Sequence, residues 1–300
     1  MPTDHAATSR AISLSLLLTT VFLLTPLPVR ATTMFAHPYF ENRWLAGERI
    51  MPDFWGPLAT ATDGIQEAYL YEQPLHAALP PPPAGRLVQY FDKGRMELDQ
   101  GNVTMGALPA QMILGQVDVG LVTIKNCPPP AVNIAGDNAP RNPTYASVAS
   151  QRKDVLAHTT DQTGAYPKEF YTPQGQLRLD DPLLSLFQYT SYNRAGLHNI
   201  PKVFADYRDK INQFRAVVFP EAIDRPNLLQ FSGDNMIGIP ISEPFLEMVY
   251  VNGVRQPVYI QIFSRRVLTY TAANPDPFKV EMGNDGQHFY YWRYVIPFCQ

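Results

Sequence analysis

At 300 residues, 45% hydrophobic and 12% aromatic, the chain has enough apolar material for one large or two ordinary packed domains, which excludes a disordered protein. A formal net charge of −3, with 17% charged residues and no basic stripe, excludes electrostatic docking on nucleic acid. The 29 prolines, roughly twice the usual share, predict short regular elements joined by rigid turns.

In chain order, Arg10 precedes an uncharged apolar run, Ala11 to Leu24, and then Pro26, Pro28 and Val29-Arg30-Ala31. Residues 1–31 have the pattern of an export signal cleaved after Ala31. The alternative is an uncleaved anchor, the one way this chain would meet a membrane, although the run is short of the about 20 residues a span requires. Phe40 to Ile50 reads as a short helix stopped by Pro52, Ala68 to Tyr71 as a strand, and Pro80 to Pro83 as a stiff extended connector. A hairpin follows, Leu87 to Phe91 and Arg95 to Leu98, with Gly94 supplying a positive φ in its turn. Leu121 to Ile124 reads as a strand and Asn126 to Asn142 as a loop rich in Pro, Gly and Asn.

Tyr145 to Leu156 reads as one helix, Asp181-Pro182 as the start of another running toward Tyr189, and Ile200 to Phe214 as a third. The third has Val203, Phe204, Tyr207, Ile211 and Phe214 at helical spacing. Gly233 to Pro240 reads as a loop and Pro244 to Val251 as a strand. Asn252-Gly253 has the composition of a type I′ hairpin turn, after which Val254 to Phe263 and Val267 to Thr271 extend the meander. The stretch Gln287 to Tyr294 is dense in aromatic residues.

Two of these stretches repeat one another. Val88-Gln89-Tyr90-Phe91-Asp92-Lys93-Gly94-Arg95, followed by Val103-Thr104-Met105-Gly106, matches Ile260-Gln261-Ile262-Phe263-Ser264-Arg265-Arg266-Val267, followed by Val280-Glu281-Met282-Gly283. A duplicated segment of this size is one supersecondary unit used twice, each copy covering apolar surface of the other. Because the second copy lacks a glycine at the turn, its turn is expected to be looser or of another type. The fold class is therefore α+β, mainly antiparallel β. Two related short meanders are expected to pack pseudo-symmetrically, with helices between them. Residues 32–300 form a single domain made of unit A (about 52–125), a helical middle (about 145–215) and unit B (about 233–296).

Gly238-Ile239-Pro240-Ile241-Ser242-Glu243-Pro244-Phe245, Gln261-Ile262-Phe263-Ser264-Arg265-Arg266 and Val280-Glu281-Met282-Gly283 together resemble a repeat of exported cell-envelope proteins of filamentous and Gram-positive-like bacteria. Its pattern is Gly-x-Pro-x-Ser-Glu-Pro-Phe, then Val-Gln-x-Phe-Glu-Arg-x-Arg, then Val-x-x-Gly. The resemblance covers roughly 52–120 and 236–294, and in the first copy the Ser-Glu-Pro part is missing. It implies an extracytoplasmic, envelope-associated protein, because such repeats accompany cell-wall hydrolases, and it names no reaction.

The residues point to binding more than to catalysis. Exposed rings stack on sugar faces, so Trp55, Tyr69, Tyr291 and Trp292, with the basic Arg95 and Arg265, are the candidate binding residues, weighed against a core role for each. Gln89 and Gln261 are expected to cap loop backbone. No nucleophile elbow, metalloprotease motif, phosphate loop or dinucleotide fingerprint is present, and no cofactor or metal ligand set is expected. Hydrolysis by paired carboxylates would draw on Glu67, Asp118, Asp137, Glu243 or Glu247. The two cysteines, Cys127 and Cys299, allow one disulfide in an oxidising compartment, or two free thiols. The reading is thus a secreted or cell-envelope, non-catalytic module that binds wall polysaccharide or another envelope protein, with a secreted glycan hydrolase as the alternative.

Overall fold

The structure, a computed structural model, describes residues 35–52, 54–56, 87–99, 102–118, 124–167, 171–172, 175–176, 184–218 and 232–296, with the side chains of 99, 102, 171–172, 175–176 and 214–218 set aside. The chain divides into two units, Met1–Thr33 and Met34–Gln300, and the second holds every described element. The expected signal, the strand at Ala68, the proline run, Tyr69, Glu67 and Cys299 lie outside the described residues.

The body is α+β with antiparallel sheets. Helix α1 (Pro38–Ile50) starts where proline can sit without losing a hydrogen bond, and His37 Nδ1 accepts the Tyr39 N–H at 3.1 Å. Strands β1 (Leu87–Phe91), β2 (Gly94–Asp99) and β3 (Asn102–Met105) form one sheet, and helix α2 (Leu108–Leu114) follows directly. Next come the two-stranded β4 (Gln116–Asp118) and β5 (Ile124–Asn126), then α3 (Tyr145–Gln151) and α4 (Lys153–Leu156). The single helix expected over 145–156 is interrupted because Arg152 leaves helical geometry at φ −112° and ψ 42°.

Strands β6 (Tyr171–Thr172) and β7 (Gly175–Gln176) form a small ribbon. Helix α5 (Leu184–Phe187) is one turn long, because Tyr189 already belongs to β8 (Tyr189–Asn193), which pairs with β9 (His198–Pro201). Helix α6 (Lys202–Val218) begins two residues later than the periodicity suggests, Ile200 being a buried strand residue. The expected loop at 233–240 contains a short helix, α7 (Gly233–Ile237), capped by Ser232 Oγ on the Asn235 N–H. The second sheet is β10 (Phe245–Val251), β11 (Val254–Ile262), β12 (Val267–Tyr270) and β13 (Val280–Met282). Helix α8 (Asp285–Tyr290) and a π-helical turn (Tyr291–Val295) complete the described chain. No described helix is long and apolar enough to cross a membrane.

The duplicated sequence forms the same three-strand unit twice, each followed by a helix. Gln89 lies opposite Met96 and Met96 opposite Met105; at the matching positions Gln261 lies opposite Leu268 and Leu268 opposite Met282. Each hairpin turns through two residues, Asp92-Lys93 and Ser264-Arg265, the latter closed by Phe263 N–H on Arg266 O at 2.8 Å. The second turn is therefore as tight as the first. Gly94 does not supply a positive φ; it is a strand residue, and the Arg266 guanidinium lies where a Cβ would stand.

Both sheets bury both faces, against two cores. On one side Phe91, Met96 and Met105 join Phe263, Leu268 and Met282 with α1 and α6. On the other, Val88 and Tyr90 join Ile260 and Ile262 with α2, α3 and α8. The two units also cap one another. The Gly286 and Gln287 N–H groups of α8 donate to Asp92 O in the first turn, and the Ala110 N–H of α2 donates to Ser264 O in the second.

Candidate functional site

Loop 131–142 is a fold of chain without regular structure, and its amides hold it together. Asn133 Nδ2 donates to Asp137 O (3.1 Å) and Ala139 O (2.7 Å), and Asn142 Nδ2 donates to Asp137 O (2.9 Å) and Tyr250 O (3.2 Å). The Asp137 carboxylate then accepts the Asn252 and Gly253 N–H groups at 3.0 and 2.7 Å, which ties the loop to the β10–β11 turn. That turn has positive φ at both central residues, 52° and 76°, the geometry for which Asn-Gly is suited.

Between this loop and the start of α8 lies a cleft of about 550 Å³. Asn133, Asn138, Asn284, Gln287, His288 and Tyr291 line it, and among the described residues no Asp, Glu, Lys or Arg does. The protein uses one half of several of these amides and leaves the other. Asn284 Oδ1 accepts Lys93 Nζ at 2.8 Å, leaving its Nδ2 donors unengaged. Gln287 Nε2 donates to Asp92 Oδ1 at 2.7 Å, leaving its Oε1 acceptor, and Asn133 Oδ1 is left in the same way. Asn138 makes no side-chain hydrogen bond, and the Tyr291 ring is about half exposed, at 49%.

His288 Nδ1 lies 3.2 Å from Tyr145 Oη, which donates to Asp285 Oδ1 at 2.8 Å; Asp285 Oδ2 accepts the Val267 N–H at 2.9 Å. With the tyrosine proton on Asp285, His288 Nδ1 is the protonated nitrogen and Nε2 is an acceptor. Burial, aided by the Lys93 ammonium, pushes the His288 pKa down to about 4, so the ring is neutral at neutral pH. Burial pushes Asp285 up to about 6, against the Val267 N–H, Arg266, Tyr145 and Lys93, which favour its charged form. Lys93 itself is lowered by burial and reaches Met282 O and Asn284 Oδ1, both at 2.8 Å. Among the described residues the cleft thus offers donors, acceptors and one ring face, and no charged side chain on its walls.

Most of the residues selected from the sequence are elsewhere. Trp55 is fully buried, its Nε1 donating to Trp44 O at 3.1 Å, and Trp292 is 2% exposed with Nε1 on Pro128 O at 2.9 Å. Both are core residues, because a body of short elements fills its interior with large rings. Arg95 is also interior: it pairs with Glu97, donates to Tyr90 Oη at 3.1 Å and lies 5.3 Å over the Phe289 ring. Arg265 borders a different cavity, and among the described candidates Tyr291 alone lies on the amide-lined cleft. Gln89 and Gln261 cap backbone as expected. Gln89 Oε1 accepts the Ala36 N–H at 2.9 Å, and Gln261 Nε2 donates to Asn199 O and Ser242 O at 2.8 and 2.9 Å.

The described carboxylates weighed for hydrolysis are engaged or unpaired with a second carboxylate. Glu243 accepts from Thr159, Tyr189 and the Asn199 N–H and amide, with His198 3.4 Å away. Burial would raise its pKa, yet these donors outweigh it and bring it down to about 2, so it cannot act as an acid near neutrality. Glu247 pairs with Arg152 at 2.6 Å and Asp137 caps the hairpin turn. Asp118 sits at the end of β4, where its backbone oxygen accepts Arg293. Cys127 is buried and disulfide-bonded, which removes it as a nucleophile. Among the described residues, no group of three or more His, Cys, Asp or Glu is placed to hold a metal ion. The cleft amides went unselected because a Pro/Gly/Asn-rich stretch reads as a turn; the signal was Asn284 and Gln287 beside the repeat's final glycine.

No protein-family model, no curated protein and no solved structure matches the chain.

Proposed function

We propose that this protein is an exported, envelope-associated binding module, and that the amide-lined cleft takes an uncharged saccharide of the wall. The observation that carries the reading is the set of half-used amides. Asn284 and Gln287 are each fixed by one protein hydrogen bond and Asn133 by two, and each presents the opposite polar group to the cleft. Sugar hydroxyls both donate and accept, so fixed donors and acceptors side by side, with no charged side chain among the described wall residues to desolvate, match their chemistry. Tyr291 supplies the ring on which a sugar face would stack. The export pattern of residues 1–31 and the resemblance to envelope repeats are consistent with this ligand class. With Glu243, Glu247 and Asp137 occupied by structural contacts, binding is favoured over paired-carboxylate hydrolysis.

The test is retention on purified peptidoglycan, with calorimetry against soluble wall oligosaccharides. Tyr291→Ala and Asn138→Ala alter groups that hold no other part of the fold. Each is expected to weaken binding by roughly tenfold, the equivalent of about 1.4 kcal/mol. If wild-type protein is not retained, or if both variants bind as it does, the saccharide reading is wrong and protein–protein assembly takes its place.

A further inference from the structure

Asp285, Tyr145 and His288 form a line of titratable side chains that ends on the amide-lined cleft. Asp285 and Tyr145 are fully buried, and His288 is part of the cleft wall. Each link is one hydrogen bond, between Asp285 Oδ1 and Tyr145 Oη at 2.8 Å and between Tyr145 Oη and His288 Nδ1 at 3.2 Å. Burial and the neighbouring Asp285 keep Tyr145 protonated. Its single proton makes it the donor in one link and the acceptor in the other. Asp285 Oδ2 already accepts the Val267 N–H at 2.9 Å, which bars a proton from that oxygen. His288 Nε2 has no hydrogen-bond partner among the described residues, so its bonding capacity is left to whatever enters the cleft.

These constraints leave two arrangements of protons. With Asp285 ionised, Tyr145 donates to it and accepts from His288 Nδ1, and Nε2 presents a lone pair. With Asp285 protonated, the proton sits on Oδ1 and points at Tyr145. Tyr145 then donates to Nδ1, and the imidazole, still neutral, carries its proton on Nε2. One protonation inside the body thus turns an acceptor on the cleft wall into a donor. The charged groups around the relay are Lys93 from the first turn, which acts on both ends, and Arg266 from the second, which acts on Asp285; Asp92 and Glu281 act on Lys93. Burial lifts Asp285 to about 6 against these cations and holds His288 down to about 4, so between the two values the ring is neutral while Asp285 is protonated.

We infer that His288 sets the hydrogen-bond specificity of the cleft, Nε2 accepting from the ligand when Asp285 is ionised and donating when it is protonated, with Tyr145 as the positioning residue that carries the change. For sugar binding, a consequence that rests on the saccharide reading, the outcome is release in acid. A hydroxyl that accepts from one of the cleft amides has only its proton left for Nε2, and once Nε2 is protonated two donors face one another.

The full chain, labelled with nitrogen-15 histidine, is followed by imidazole NMR from about pH 7.5 to about pH 5, with His288→Gln identifying its signals among the six histidines. His288 should carry its proton on Nδ1 at the upper limit and on Nε2 at the lower, with the ring neutral throughout and a midpoint of about 6. Asp285→Asn, whose amide N–H takes the place of the carboxyl proton, should hold the proton on Nε2 at both limits. Tyr145→Phe cuts the relay at a second point, should Asp285→Asn fail to fold, and should remove the transition. A bare Nε2 at the lower limit in the wild type, or a transition that persists in Tyr145→Phe, overturns the inference. This readout needs no ligand, so it is separate from the saccharide reading. Titration with soluble peptidoglycan fragments then tests the release. Wild-type affinity should be several-fold lower at the acid limit, and affinity in Tyr145→Phe equal at both. Equal wild-type affinity at the two limits overturns the release in acid, whereas fragments that bind at neither overturn the saccharide reading and leave the relay standing.

Discussion

Single residues show how polar groups survive inside this body. Arg95, 1% exposed, is tolerable only because Glu97, 3% exposed, neutralises it and Tyr90 and the Phe289 ring occupy its remaining faces. Removing one member of such a pair leaves a bare interior charge, whereas replacing both by apolar residues does not. Glu97→Gln is therefore expected to cost about 3–5 kcal/mol in urea unfolding, and the double variant Arg95→Met/Glu97→Leu distinctly less. Equal losses in the two proteins would show that the pair carries no such interdependence. The buried glutamines follow the same logic. Gln89 and Gln261 occupy matching positions of the two hairpins, and each gives its amide to the backbone of a neighbouring segment. That role was legible in the sequence, since a polar residue in an apolar strand must be satisfied by something fixed.

Elements are joined by contacts too close for ordinary side chains. Helix α8 meets the first hairpin at Gly286, whose N–H donates to Asp92 O at 3.0 Å. A Cβ at Gly286 would stand 1.8 Å from Phe91 O and 2.7 Å from Gly94 O, and backbone cannot swing aside as a side-chain end can. Gly286→Ala is expected to destabilise the protein by about 3 kcal/mol, at the upper end of overpacking costs. A loss under about 1 kcal/mol by thermal or urea unfolding would mean that the helix can slide off the turn without penalty. The Asn252-Gly253 turn, by contrast, was predictable as a local matter, because its positive φ angles belong to its own two residues. Helix ends were harder. The break at Arg152 and the early stop after Phe187 come from strands and neighbours that no periodicity contains.

For the molecule as a whole, the groups with displaced pKa values set its response to pH. Glu243, lowered from 4.5 to about 2, contributes stability that is complete above pH 4.5 and is lost as pH falls toward 2. His288, lowered from 6.5 to about 4, contributes stability that is complete above 6.5 and is lost between 6.5 and 4. Asp285 has the opposite sign. Raised from 3.8 to about 6, it stabilises the fold fully below pH 3.8 and loses that contribution as pH rises through 6. The His288 and Asp285 effects largely cancel between pH 6.5 and 4, so unfolding free energy should be nearly level there and fall below about 4.5. Denaturant titrations across this range should show the acid limb flattened in Glu243→Gln. An acid limb unchanged in that variant would mean that Glu243 is not its source.

The sequence by itself determined the repeat, the hairpin positions and the α+β class. Those features are written in local alternation and in a spacing between copies that any reader of the chain can count. Only the tertiary structure decided which aromatic and charged residues face inward. Trp55, Trp292 and Arg95 have the composition of a binding surface, yet packing against Phe91, Phe289 and their neighbours buries them. The same packing brought Asn133 and Asn138 from one loop against Asn284 and Gln287 from the start of α8. A site assembled from segments so far apart in the chain leaves no spacing to read, because its geometry belongs to the packing of loop 131–142 against α8 and not to any stretch of sequence.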